Sequence, residues 1–132
     1  MTNRNKAKGT EWETAAADYL NETLGQYKPN WRDGARALRW KDPRDSNNVT
    51  RNVQSGAGDI GDLALWPFAG EAKNVATITL PAFIKQANVE ARRAGADYGV
   101  VLIKARGKST ADGFAVMDIA TFARVLAKLR QQ

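Results

Sequence analysis

The apolar residues of this chain fall into blocks whose spacing changes from helical to strand-like and back. Trp12, Ala15, Ala16, Tyr19, Leu20 and Leu24 recur at helical intervals and predict a helix over 10–24, with Thr10 as its N-cap and Gly25 as the glycine that ends it. Ahead of it, residues 1–8 carry Arg4, Lys6 and Lys8 with no acid, which predicts a flexible basic arm. Trp31 and the stretch 37–40 suggest one strand or a bent hairpin. The polar stretch 41–58, with Pro43, Asn47, Asn48, Ser55, Gly56 and Gly58, predicts a long loop. Two strands, 59–66 (DIGDLALW) and 68–75 (FAGEAKNV), are broken by Pro67 and predict a hairpin. Pro81 suits the first turn of a helix that Phe83, Ile84, Ala87 and Ala91 carry to Ala94, where Gly95 stops it. The nearly continuous apolar run 98–104 (YGVVLIK) reads as a strand buried on both faces. A polar turn, a strand over 114–117 and a helix over 119–129 capped by Asp118 complete the chain.

The resulting order, α-β-β-β-α-β-β-α, predicts an α/β domain with a mixed central sheet flanked by helices. A length of 132 residues suits a single domain spanning 1–132, and no internal repeat is present. No apolar run is long enough to cross a membrane, and no apolar stretch succeeds the basic N-terminus as in a secretory signal, so a cytoplasmic protein without a membrane partner is expected.

Composition narrows the chemistry. There is no cysteine and no histidine. Disulfides, thiol nucleophiles, structural zinc and every imidazole-dependent triad are thereby excluded. Proton transfer and metal ligation fall to Asp, Glu, Lys, Tyr or water, and a ligand set of carboxylates points to hard cations, Mg²⁺ or Mn²⁺. The formal net charge of +6 favours a nucleic-acid partner.

The informative stretch is 58–74, GDIGDLALWPFAGEAKN. Asp59 and Asp62 open one strand, and Glu71 and Lys73 lie on the next. Side chains alternate along a strand, so Glu71 and Lys73 share a face, and a hairpin brings an acid of the first strand beside Glu71. Two carboxylates and an ammonium form a set suited to phosphodiester hydrolysis: a bound divalent cation acidifies a water and offsets charge on the phosphate, and Lys73 adds electrostatic stabilisation. Beside two carboxylates the lysine keeps its charge, which favours that role over general-base work. Asp59 and Asp62, three residues apart on a regular strand, would face opposite ways, leaving only one as a primary ligand.

The D…ExK hairpin, preceded by a helix with a glutamate and succeeded by a helix and a strand, resembles the restriction-endonuclease-like αβββαβ core of the PD-(D/E)XK nucleases. KGTEWE at 8–13 resembles the Lys-Gly-x-x-x-Glu opening of archaeal-type Holliday junction resolvases. GDI, EAKN, QANVEARRAGADYGVV and KARGK look like small phage-encoded resolvases of the same group. The resemblance spans about residues 4–126 and is weakest over 41–58. It implies a homodimer that cuts four-way DNA junctions with Mg²⁺, in the host cytoplasm if phage-encoded. Other nucleases of the superfamily act on single-stranded, flap or duplex-end DNA, and a non-catalytic DNA-binding module of the same fold is a further alternative.

By that resemblance Glu13 matches the helix glutamate, Asp59 the first-strand aspartate, Glu71 the second carboxylate and Lys73 the lysine. Gly58 stands where the motif's name has proline, and Asp62 remains the alternative to Asp59 as metal ligand. Glu13 has a competing explanation, since Thr10 and Glu13 have the spacing of a capping box. Gln86, on the helix after the ExK strand, corresponds to a polar residue that faces the active site in many such nucleases. Expected DNA contacts are Arg4, Lys6 and Lys8 of the arm, Arg44 and Arg51 of the loop, Asn74 of EAKN, Lys85, and Lys104 of KARGK. Trp12, Trp31, Trp40 and Trp66 are expected in the core or a dimer interface rather than as stacking platforms.

Overall fold

The computed structural model describes residues 3–52 and 59–131, with side chains from residue 7 onward. Its elements are α1 (Asn3–Thr23), β1 (Thr50–Arg51), β2 (Leu63–Leu65), β3 (Phe68–Lys73), α2 (Leu80–Ala94), β4 (Tyr98–Ile103), β5 (Phe114–Val116) and α3 (Ile119–Arg130). The strands form one mixed sheet in the order β1-β2-β3-β4-β5. β1, β2 and β3 are joined antiparallel, β3 and β4 run parallel on either side of the α2 crossover, and β5 returns antiparallel to β4.

Strand alternation assigns the two faces. Leu63, Leu65, Ala72 and Leu102 pack against Trp12, Ala16 and Ala17 of α1. The Trp12 indole N–H also donates to the Leu102 carbonyl at 3.0 Å, pinning α1 across the sheet. On the opposite face Val101 and Ile103 pack against Ala87, Phe83 and Ile84 of α2. Glu71 and Lys73 are the register partners of Val101 and Ile103, so both project to the α2 face. Gly99 lets α2 come close: a Cβ there would lie 2.6 Å from the Ala87 carbonyl oxygen.

Four expectations are corrected. Helix α1 begins at Asn3, so the described part of the expected basic arm is helical, and Thr10 lies inside the helix rather than at its N-cap. Ala7, Lys6 and Lys8 are good helix formers and outweigh the cost of Gly9, on the order of 1 kcal/mol. The capping box is therefore not formed. Residues 37–40 are not a regular strand: Arg36–Leu38 is a 3₁₀ turn, and the bent-hairpin alternative is present only as an isolated antiparallel bridge from Trp40 to Tyr27 with backbone hydrogen bonds on either side. The first strand lies instead inside the expected loop, at Thr50–Arg51, where the buried Asn21 amide mimics main chain. Asn21 donates to the Val49 carbonyl and accepts from the Val49 N–H, both at 2.8 Å. Finally, β2 starts only at Leu63; Asp59–Asp62 form an irregular approach that turns at Gly61, whose φ of 97° lies in the left-handed region. Val53–Gly58, including the Ser55, Gly56 and Gly58 of the expected loop, lie outside the described residues.

The remaining elements agree with their local signals. Gly25 and Gly95 take left-handed conformations just past α1 and α2. Pro81 sits in the first turn of α2, and Asp118 caps α3 by accepting from the Thr121 N–H at 2.7 Å. Among the described residues no helix is long and apolar enough to cross a membrane.

Candidate active site

An open cleft of about 690 Å³ lies at the end of the sheet where β3 leaves it. Its walls bring together Glu13 of α1, Asp59 and Asp62 of the approach to β2, and Glu71 and Lys73 of β3. Lys8, Arg51, Asn74 and Arg106 line the same cleft, and its positive charge comes from Lys8, Arg51, Lys73 and Arg106. Residues far apart in the chain therefore converge on one concave surface.

Glu71 is the centre of the arrangement. It is 5% exposed, and its Oε2 pairs with the Lys73 Nζ at 3.2 Å. Its Oε1 has no hydrogen-bond donor. Burial, and then the charge of Asp62, push the Glu71 carboxyl up to about 7. Lys73 is held from below by the Phe83 ring of α2, 4.9 Å from its ammonium.

The irregular chain before β2 changes the relation between the two aspartates. On a regular strand only one of them could face the site, but with the turn at Gly61 both line the cleft. Asp62 stands beside the ladder: its N–H donates to the Gly70 carbonyl, and its Oδ2 accepts from the Ala72 N–H at 2.8 Å. Its charge acts on Glu71 and on Glu13, raising both. Asp59 is more exposed, and its Oδ1 accepts from the Gly61 N–H, closing the turn that positions Asp62.

Glu13 has lost its capping explanation and gained a different partner. Its Oε1 accepts from the Arg51 Nε at 3.0 Å, across the cleft wall. Burial is the main reason its carboxyl lies above the usual range, opposed by that hydrogen bond. Arg51 thus neutralises the acid of α1 while facing the cleft.

Other expected residues are placed elsewhere. Gln86 is half-buried on α2 and does not line the cleft. Lys85 and Arg44 are exposed away from it, and Lys104 lies over Trp12, 6.0 Å from the ring. The side chains of Arg4 and Lys6 lie outside the described residues. Trp12 is a core residue as expected; Trp66 is exposed on the hairpin, and Trp31 and Trp40 pack around Tyr27.

Sequence reasoning missed two residues. Arg106 comes after β4 and reaches the cleft from the KARGK turn. Glu90 sits one helical turn beyond Gln86 and is 2% exposed, with no donor to either oxygen. Burial, then Glu71 and Asp59, push its carboxyl up to about 9. The signal was present: Glu90 falls on the same helical face as Phe83, Ala87 and Ala91, where an acid has no structural reason to stand.

Among the described residues no three or more acids stand together so as to hold a metal ion. The donors nevertheless suit a hard divalent cation, because Mg²⁺ is commonly held by only one or two carboxylates and completes its shell with water and substrate phosphate. The unpartnered Oε1 of buried Glu71 is the oxygen such an ion would satisfy. No family profile, curated protein or solved structure matches the chain.

Proposed function

We propose that this chain is a Mg²⁺- or Mn²⁺-dependent endodeoxyribonuclease with the restriction-endonuclease-like core of the PD-(D/E)XK enzymes, acting as a homodimeric Holliday junction resolvase. The observation that carries the nuclease reading is the buried Glu71, paired with Lys73 on one strand face and set beside Asp62 in a cleft edged by Lys8, Arg51 and Arg106. A carboxylate placed this deep without a donor for one oxygen is costly unless it serves a cation or a reaction. The element order of helix, three antiparallel strands, crossover helix and parallel strand is compatible with that core. Preference for a four-way junction rests on the sequence resemblance alone.

Asp62 and Glu71 are the residues that would hold the cation, with Glu13 reaching it through water. When bound, the ion would acidify a water and offset charge on the attacked phosphate. The remaining work falls to the chain. Lys73, fixed by Glu71 and the Phe83 ring, presents an ammonium to a non-bridging oxygen or to the attacking water. Arg51, Lys8 and Arg106 hold the flanking phosphates. Arg51 would exchange part of its bond to Glu13 for phosphate, freeing an acid as substrate arrives.

The test is cleavage of four-way junction, flap, single-stranded and linear duplex DNA, with Mg²⁺ against EDTA. Junction-selective cutting is expected with Mg²⁺ and none with EDTA. Glu71→Ala and Lys73→Ala should each lose at least about a hundredfold in rate while still binding junction DNA. Equal cutting of flaps or duplex ends would replace the resolvase reading by another nuclease. Junction binding without cleavage in any metal would leave only a DNA-binding module.

A further inference from the structure

On the α2 side of Glu71 lie three buried carboxylate oxygens without a donor. They are Oε1 of Glu71 and both oxygens of Glu90. The two residues are 5% and 2% exposed, so solvent does not replace the missing donors. Asp59 adjoins Glu90 on the solvent side, where it lines the cleft. Lys73 does not relieve the group, since its ammonium is committed to the other oxygen of Glu71. Nor is a base of α2 hydrogen-bonded to Glu90, whose buried neighbours on that helix are Ala87 and Ala91. A helix residue this buried is ordinarily apolar, as Ala87 and Ala91 on the same helix are. An acid there, aimed at another acid, needs a positive partner from outside the chain.

We infer that the adjoining carboxyls of Glu90 and Glu71, with Asp59 beside them at the edge of the cleft, form a second divalent-cation site, taking Mg²⁺ or Mn²⁺ in addition to the ion proposed between Asp62 and Glu71. The inference deepens the nuclease reading, which assigns no role to Glu90. Glu71 is the shared residue: Asp62 and Glu90 both act on its carboxyl, and its unpartnered Oε1 is the oxygen that the two ions would share. A hard cation fits better than a soft one because every donor is a carboxylate oxygen. Mg²⁺ commonly takes only one or two carboxylates, so the ion would keep water in the rest of its shell, which the open cleft at Asp59 allows. The competing occupant is a proton shared by Glu71 and Glu90, and the two differ in what a metal titration reads.

The experiment counts bound Mn²⁺ on the full chain by electron paramagnetic resonance of the free ion, without DNA. The wild-type protein is expected to take about two Mn²⁺ per chain. Glu90→Gln, which keeps the shape and removes the charge, should lose one of them and keep the other. Asp62→Asn should lose the opposite one, so the double variant binds none. Asp59→Asn, at the edge of the cleft, should weaken the Glu90 site severalfold and serves if Glu90→Gln does not fold. Unchanged stoichiometry and affinity in Glu90→Gln, or in Asp59→Asn where that variant stands in, would mean that a proton is held there instead and would overturn the inference. A wild-type protein that binds a single ion, removed by Asp62→Asn alone, would also overturn it and leave the nuclease proposal standing. Two ions bound by a protein that cuts no DNA would have the opposite meaning: the site is real and the proposed activity is not.

Discussion

Glu90→Gln should make the metal-free protein more stable at neutral pH, an unusual outcome for a substitution at a buried position. In the folded chain the Glu90 carboxyl is pushed up to about 9 by burial and by its acidic neighbours, against an ordinary value of 4.5. The folded state therefore holds a proton that the unfolded state releases near 4.5, and stability falls as pH rises through the interval from about 4.5 to 9. At pH 7 about 2.5 pH units of that interval have been crossed, and each unit is worth about 1.4 kcal/mol. The loss at pH 7 is thus on the order of 3 kcal/mol. Glutamine removes the titration and retains the volume. Chemical denaturation in EDTA at steps between pH 5 and 8 should show wild-type stability falling with pH and the variant nearly level, the curves separating upward. A variant less stable than wild type at pH 7, or parallel pH slopes in the two proteins, would refute the electrostatic reasoning.

Asp62→Asn should reduce cleavage more than Asp59→Asn, since Asp62 bonds to the Ala72 N–H and acts directly on Glu71; the reverse order in a junction-cleavage assay would return the ligand role to Asp59. Glu13→Gln should lower cleavage while moving the melting temperature little, because the acid caps no helix and its ion pair with Arg51 is half-exposed; unchanged activity would remove Glu13 from the site. Gly99→Ala should destabilise the protein by about 1–3 kcal/mol in equilibrium unfolding, since its Cβ would meet the Ala87 carbonyl at 2.6 Å; a neutral effect would mean that α2 can withdraw from the sheet. Raising salt should weaken DNA binding steeply through release of counterions, and Arg51→Ala should flatten that dependence; an unchanged slope would place Arg51 outside the DNA interface.

The parts of the fold that were legible from sequence are those where a local signal and the tertiary environment agree. The run at Tyr98–Ile103 is apolar because β4 is covered on both faces, and Gly95 and Asp118 end or begin helices through conformations and hydrogen bonds contained within a few residues. The Glu71–Lys73 face was legible for the same reason, since alternation along a strand is a local property. Failures occurred where distant residues decide. Thr50–Arg51 reads as loop because its pairing depends on the Asn21 amide, 28 residues away, standing in for main chain at Val49. Asp59 and Asp62 were set on opposite faces by a periodicity that Gly61 interrupts, and only the close approach of Gly61 to Gly70 reveals that the chain turns there. Glu90 is the most instructive case. An acid on the apolar face of α2 contradicts the helix's own pattern, and such a conflict between local rule and global packing is where a sequence keeps something for chemistry rather than for folding. Gln86 was expected at the site as the polar residue of the helix after an ExK strand and does not line the cleft; Glu90 was not expected, yet it is buried beside Glu71 where α2 lies close enough for Gly99 to touch Ala87. The same close packing that hides the acid from solvent is the source of its influence on Glu71.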